Sequence, residues 1–456
     1  VAELTAERKL FGTDGVRGEA GTFLTAELAL SLGRAATASL EASRPQVLIV
    51  RDTRESGPML ESALAAGVAE AGGDALLGGV LPTPAAAVLV RKLGLDLAAV
   101  VSASHNPYRD NGIKFFSARG TKLDDATEAR IEAVLEAGPP PAGAGHVREL
   151  GGGAEDYLRA LRSAFPLDLS GVKVALDCAN GATHRVAPAI FERLGAEVLA
   201  TAAEPDGRNI NDGCGSTHLD NLKEHVVATG ADIGFAFDGD GDRVLAVDRK
   251  GRVHDGDELI ALLARGMAAR GELDGGVAVT VMSNYGFHRA MEEADIEVAV
   301  TKVGDRYVLD ELREREWALG GEQSGHIIDT RFAATGDGIA AALATMRELA
   351  GRDLATVEAM EKLPQTLVNV AVADREAIAG ATAVWDAVER EDAELEGRGR
   401  VLLRPSGTEP LVRVMAEAPT AEEAEAVCER LADLVRRELG KRPSGEVLDE
   451  MREERP

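Results

Sequence analysis

The sequence predicts an α/β protein of several domains, on three observations. The chain has 456 residues, whereas compact cores stop growing at about 250–300 residues, so two to four domains are expected. Apolar strand, polar or glycine-rich loop and amphipathic helix succeed one another along it, the rhythm of α/β units with largely parallel sheets. Apolar residues make up 45% and aromatic residues 4%, enough for a large and mostly aliphatic core.

Taken in order, QVLIV (46–50) precedes the helix MLESALAAGVAEAG, and LAAVV (97–101) runs into a polar turn. The stretch DDATEARIEAVLEA places Ile131, Val134 and Leu135 on one helical face and stops at Gly138. The proline- and glycine-rich segment at 138–153 reads as a linker. VKVALD then precedes THRVAPAIFERLG, and VAVTVM precedes FHRAMEEAD. Further breaks are expected near residue 251 and at KLPQT, 362–366. The chain's last strong helix begins with a capping box, Thr420 and Glu423, and carries Ala424, Val427, Leu431, Leu434 and Val435 on one apolar face.

Charge and composition exclude whole classes of function. The net charge of −27 is spread along the chain, whereas nucleic-acid binding needs a basic face. No apolar run approaches the roughly 20 residues that span a bilayer, and VAELTAERKL lacks a signal-peptide core. A soluble cytoplasmic protein without nucleic-acid or membrane partners is expected, as a monomer or homodimer. Cys178, Cys214 and Cys428 show no metal spacing, which fits a reducing compartment; Cys428 falls on the apolar stripe of the last helix and reads as core.

Several unusual polar loops follow separate strands, where α/β sheets bind ligands. In DGDGDR (238–243), glycines alternate with Asp238, Asp240 and Asp242, so one turn aims three carboxylates at a point. Like charges about 4 Å apart repel by roughly 4 kcal/mol at an effective dielectric near 20, and a divalent cation reverses the sign. All-oxygen ligation suits Mg²⁺ or Mn²⁺. A calcium loop would need glycine where Arg243 stands and glutamate where Arg249 stands. In SASHNP (102–107), Ser104 fits either a serine turn or a nucleophile; no G-x-S-x-G surrounds it, and the metal loop favours a phosphoryl-bearing serine with His105 and Lys114 as positive or proton-handling partners. RPSGTEP (404–410) offers Arg404, Ser406, Gly407 and Thr408 as an anion nest, with Arg413 as a second fork, though the same residues also make an ordinary hairpin turn. Screening acts over about 8 Å, so such a local cluster outweighs the acidic whole. GGEQSGH (320–326) presents Glu322 and Ser324 for vicinal hydroxyls, with His326 assisting, and FGTDGVRG (11–18) brings Arg17 on a glycine-hinged loop. Each of these two, standing alone, would pass for a connector.

Together and in this order, the loops resemble the α-D-phosphohexomutase superfamily, over about residues 10–440. The resemblance implies three related α/β mixed-sheet domains around a cleft (1–150, 151–251 and 252–363) and a smaller α+β C-terminal domain (364–456) similar to the TATA-binding-protein-like fold. It implies that Ser104 is a phosphoserine, that Asp238, Asp240 and Asp242 bind Mg²⁺ with its phosphate, and that Arg243 holds that phosphate. Glu322 and Ser324 resemble the sugar-binding pair. Arg404, Ser406, Gly407, Thr408 and Arg413 resemble the site for the substrate's distal phosphate, and Arg17, His105 and Lys114 match residues near the transferring phosphoryl. The implied reaction interconverts glucosamine 6-phosphate and glucosamine 1-phosphate through a 1,6-bisphosphate, feeding UDP-N-acetylglucosamine synthesis. Gln323 points to the amino sugar, because hexose relatives usually carry methionine there. A phosphomannomutase or phosphoglucomutase is the alternative; a phosphatase and a non-catalytic sugar-phosphate sensor fit the loops less well.

Overall fold

The computed structural model describes residues 10–12, 14–138, 143–406 and 409–440. Contacts divide the chain into two compact units, one built from residues up to Ser283 with Met291–Ala359, the other from Asn284–Ala290 and Met360 onward.

The first unit holds three mixed sheets. The first contains β1 (Val16–Glu19), β2 (Gln46–Arg51), β3 (Asp74–Val80), β4 (Leu97–Val101), β5 (Asp110–Ser117) and β6 (Val147–Glu149), in the order β1-β5-β4-β2-β3-β6. Helices α1 (Ala26–Ala38), α2 (Gly57–Glu70), α3 (Thr83–Lys92) and α4 (Asp125–Ala137) belong to it. β2 and β4 are parallel neighbours and read as unbroken apolar runs because both faces are covered. α1 and α2 cross almost backbone to backbone: a Cβ on Gly67 would lie 2.0 Å from the Leu30 carbonyl oxygen. α4 starts where Asp124 accepts the Thr127 N–H at 2.7 Å and ends on left-handed Gly138, as its pattern predicts. The segment expected to be linker differs: its Val147–Glu149 pairs with β3 as an edge strand, a role short enough to need no apolar pattern.

The second sheet, ordered β11-β10-β9-β7-β8, contains β7 (Lys173–Asp177), β8 (Glu197–Thr201), β9 (Ile233–Phe237), β10 (Val244–Asp248) and β11 (Val253–His254), with α5 (Gly153–Ala164), α6 (Val186–Arg193) and α7 (Asp220–Thr229) around it. Its last strand, β11, closes at His254. The third, ordered β13-β12-β14-β15, contains β12 (Gly276–Thr280), β13 (Glu297–Thr301), β14 (Leu319–Gly321) and β15 (Ile327–Asp329). Its helices are α8 (Gly256–Ala269), α10 (Asp305–Arg315) and α11 (Gly338–Leu349), whereas α9 (Tyr285–Glu293) begins in the segment Asn284–Ala290 of the second unit. A full capping box, Asp255 with Glu258, opens α8.

The second unit carries an antiparallel sheet, β16-β18-β17, from β16 (Gln365–Ala371), β17 (Arg400–Pro405) and β18 (Leu411–Glu417), packed with α12 (Thr382–Leu395) and α13 (Ala421–Leu439). Val412, Val414 and Ala416 alternate inward along β18 against Val427, Cys428, Leu431 and Val435 of α13, so Cys428 is core as expected. Thr420 accepts the Glu423 N–H at 3.2 Å, but Glu423 turns to Arg398 at 3.3 Å, so only half of the expected capping box forms.

The sheets are less parallel than the strand–helix rhythm suggests, and the departures matter. The loop 102–109 joins antiparallel β4 and β5, 238–243 joins antiparallel β9 and β10, and 322–326 joins antiparallel β14 and β15. In the second unit, 406–410 joins antiparallel β17 and β18. The chemistry-bearing loops are hairpin tips, not strand-to-helix crossovers. Among the described residues no helix is long and apolar enough to cross a membrane.

Candidate functional site

Ser104 is buried and adopts left-handed backbone geometry, φ 52°, a conformation disfavoured for any residue with a Cβ. Its Oγ donates to Asp238 Oδ2 at 2.6 Å, across the gap between the serine loop and the carboxylate loop. The approach depends on Gly239: a Cβ there would lie 2.5 Å from the Ser104 carbonyl oxygen.

Asp238, Asp240 and Asp242 are all buried, and one carboxylate oxygen from each lies within 4.8 Å of the others. Asp240 Oδ2 accepts the Thr83 hydroxyl at 2.6 Å and Lys114 Nζ at 2.8 Å. Asp240 Oδ1 and Asp242 Oδ1 are buried and have no hydrogen-bond partner. Three converging carboxylates with orphaned oxygens fit a hard divalent cation, which would supply the missing partners. Burial, then the charges of Asp242 and Asp240, push the Asp238 carboxyl well above the usual range. For Asp240, burial and Asp242 push upward, but Lys114 and Thr83 outweigh them and hold it low.

Basic groups ring this triad. Lys114 Nζ lies 3.1 Å from Asp14 Oδ2, and Asp14 also pairs with Arg17. His105 Nδ1 is 3.4 Å from Ser104 Oγ. Burial, with the nearby charges of Arg243 and Arg17, holds the His105 imidazole down at about 4, so the ring is neutral at pH 7. Of the two expected partners, Lys114 brings positive charge and His105 does not. Arg243 donates its backbone N–H to Asp238 Oδ1 at 3.2 Å, while its buried Nε makes no hydrogen bond and lies 3.9 Å from Asp242 Oδ1.

A cavity of about 1000 Å³ opens beside the triad, with Arg17, His105, Arg243, Glu322, Gln323 and Ser324 in its walls. Glu322 Oε1 accepts the Gly304 N–H at 3.0 Å, which ties the expected sugar-binding loop to the start of α10. His326 lies deeper than expected of a sugar contact. It is 2% exposed, with Nδ1 3.7 Å from Asp242 and Nε2 3.3 Å from Asp305, and Nε2 also accepts the Gly336 N–H at 3.0 Å. Burial lowers its proton affinity, but the Asp305 and Asp242 carboxylates outweigh burial and raise it.

In the second unit, Arg404 and Arg413 face each other across the β17–β18 ladder. Like charges directly opposite repel; burial, and then Arg413, hold the Arg404 guanidinium below its usual range. Arg413 Nε is buried without a partner, which suits an anion. Ser406 is buried, with its hydroxyl accepting the Glu409 N–H at 3.3 Å and its carbonyl accepting Arg375 at 2.8 Å. Gly407 and Thr408 lie outside the described residues.

Sequence reasoning missed several groups here. Lys122 bridges Asp14 and Asp305, the latter at 2.6 Å, and Thr83 reaches Asp240 from the start of α3. Asn211 donates to the Ser104 carbonyl at 2.9 Å, and the buried Arg54 donates to it at the same distance. Asp52 and Arg54 stand directly after the strand QVLIV, in RDTRESG, and that charged cluster at a strand end was the available signal.

This fold and this site define a phosphohexomutase. Models of the phosphoglucomutase/phosphomannomutase alpha/beta/alpha domains I, II and III match residues 8–140, 155–251 and 255–367, and that of the C-terminal domain matches 367–434. A phosphoglucomutase/phosphomannomutase family protein from Burkholderia thailandensis superposes with a TM-score of 0.78 at 26% identity, covering 94% of this chain and 99% of its own. Phosphoglucosamine mutases are closer in sequence: that of Streptomyces avermitilis is 52% identical over 95% of this chain and all of its own length (100%), and that of Heliobacterium modesticaldum is 50% identical over 94% and 99%. The chain belongs to the phosphoglucomutase/phosphomannomutase family, in its phosphoglucosamine mutase branch.

Proposed function

We propose that the protein interconverts glucosamine 6-phosphate and glucosamine 1-phosphate, with Ser104 as the phosphoryl carrier. The observation that carries the reading is the Ser104 hydroxyl 2.6 Å from Asp238, beside a triad with orphaned carboxylate oxygens. Asp238, Asp240 and Asp242, with the phosphorylated Ser104 side chain, would hold Mg²⁺, which neutralises charge on the phosphoryl group.

In the first half-reaction, the bond between phosphorus and Ser104 Oγ breaks as phosphorus bonds to O1 of glucosamine 6-phosphate, and the proton lost by O1 is balanced by one gained at Ser104 Oγ. Phosphoryl transfer is mostly positioning and charge stabilisation. Arg17 and Lys114 supply positive charge, Arg243 holds the serine phosphate, and His105 stands within reach of the proton. The 1,6-bisphosphate turns over and returns its 6-phosphoryl to Ser104 Oγ, while O6 takes a proton and glucosamine 1-phosphate leaves. Glu322 and Ser324 grip sugar hydroxyls, with His326 behind them. Arg404, Ser406 and Arg413, with Gly407 and Thr408, bind the phosphate that is not being transferred. The product suits nucleotidyl transfer towards UDP-N-acetylglucosamine, and three buried, unpaired cysteines suit the cytoplasm.

A coupled assay of glucosamine, glucose and mannose 6-phosphates under equal bisphosphate activation tests the substrate. The highest kcat/KM is expected for glucosamine 6-phosphate, because a site built for one polar substituent discriminates strongly. Equal turnover of all three would reduce the assignment to a general phosphohexomutase.

A further inference from the structure

Arg54 is a fully buried arginine, and a buried guanidinium is tolerated only where its charge and donors are satisfied. Its Nε donates to Asp52 Oδ2 at 2.8 Å. One terminal nitrogen donates to the Ser104 and Asn106 carbonyls at 2.9 and 2.8 Å. The other donates to the Asp110 carbonyl at 2.9 Å and to that of Pro107. Every N–H of the guanidinium is therefore used, four of the five on backbone carbonyls between 104 and 110.

Asp52 completes the arrangement. Its Oδ2 also accepts the Ser102 hydroxyl at 2.6 Å, and that hydroxyl accepts the Ser104 N–H at 3.0 Å. The two backbone groups of Ser104 thus lead to one buried ion pair: the N–H through Ser102 to Asp52, the carbonyl directly to Arg54. Ser104 is also the residue with φ 52°, and such geometry persists where its surroundings over-determine it. The loop has few ladder bonds of its own, so the guanidinium takes the place of a core.

We infer that Arg54, oriented by Asp52, is the positioning residue that holds Ser104 in its left-handed conformation and so aims Oγ at Asp238 and the transferring phosphoryl. The inference rests on Ser104 as carrier. Lysine cannot replace Arg54, because three donors on one atom do not span four carbonyls in a plane. Arg54 is fully buried and does not line the cavity, so its loss should alter the rate of transfer and leave substrate binding intact.

The test compares Arg54→Lys and Ser102→Ala with the unaltered full-length protein, measuring kcat and KM for glucosamine 6-phosphate and thermal melting. Misplacing a reacting atom by about 1 Å costs on the order of 100-fold in rate. For folded Arg54→Lys a kcat loss of about that size is expected, with KM changed less than about 3-fold. Should Arg54→Lys not fold, Ser102→Ala, which removes one hydroxyl from the same relay, is expected to stay folded with a slightly lower melting temperature and lose about tenfold in kcat at unchanged KM. Parental kcat in folded Arg54→Lys or in Ser102→Ala, or a loss confined to KM, overturns the inference. Ser104→Ala separates the two levels: if it retains turnover, the carrier assignment fails; if it is inactive while Ser102→Ala and folded Arg54→Lys are fully active, only the positioning role fails.

Discussion

Lys114 Nζ lies 2.8 Å from Asp240 Oδ2, and both side chains are buried. The lysine supplies positive charge inside the carboxylate triad, but it also competes with a metal for Asp240. Replacing it with methionine should tighten Mg²⁺ binding in a calorimetric titration and slow turnover. Without metal, breaking a buried pair should cost about 3–5 kcal/mol in denaturant unfolding, and Mg²⁺ should restore part of that loss.

Chelation should stop the mutase, and Mg²⁺ should restart it. Asp240→Asn removes one ligand charge from an all-oxygen shell and should weaken Mg²⁺ binding and reduce kcat strongly. An enzyme indifferent to chelator would make the loop an acidic turn without a catalytic ion.

Asp337 gives a stability prediction with a sign. Burial pushes its carboxyl from 3.8 up to about 6, against the Ala340 N–H and the Tyr157 hydroxyl, which favour the ionised form. Between these values the folded state binds more protons than the unfolded state, so stability falls as pH rises from about 4 to 6. The contribution is at most about 3 kcal/mol. Asp337→Asn keeps a capping oxygen for α11 and should flatten this part of the pH–stability curve in urea melts at pH 4, 5, 6 and 7.

Arg404 and Arg413 oppose each other across two strands, with the Glu409 carboxylate 3.9 Å from Arg413, so a bound anion would relieve their repulsion. Arg413→Gln should leave melting unchanged or raise it, while KM for the sugar phosphate rises about 10- to 100-fold, the range of one charged hydrogen bond. A large fall in melting temperature with unchanged KM would make the pair structural.

The parts legible in sequence were those whose residue types announce chemistry: alternating aspartates in DGDGDR and Ser104 after LAAVV. Hairpin geometry was not legible, because β9 and β10 look like any apolar runs until their pairing is known. Arg54 stands in a charged cluster at a strand end, but its role was hidden for a different reason. It satisfies backbone carbonyls, and carbonyls leave no mark on sequence. Thr83, at the start of α3, and Asn211, in the loop between β8 and α7, reach Ser104's surroundings 157 and 107 positions from their partners Asp240 and Ser104, beyond any local pattern. The strand Val147–Glu149 hid inside a proline- and glycine-rich segment because three edge residues need no hydrophobic periodicity.

The central claim is that Ser104 carries the phosphoryl group, and a single-turnover transfer experiment tests it most directly. Protein bearing ³²P-phosphate on Ser104 is mixed with excess unlabelled glucosamine 6-phosphate in Mg²⁺ and quenched at intervals. Label should leave the peptide containing Ser104 at a rate no slower than kcat and appear first in the sugar bisphosphate, then in glucosamine monophosphates. Label that stays on the peptide through many turnovers, or leaves only as inorganic phosphate, would contradict it.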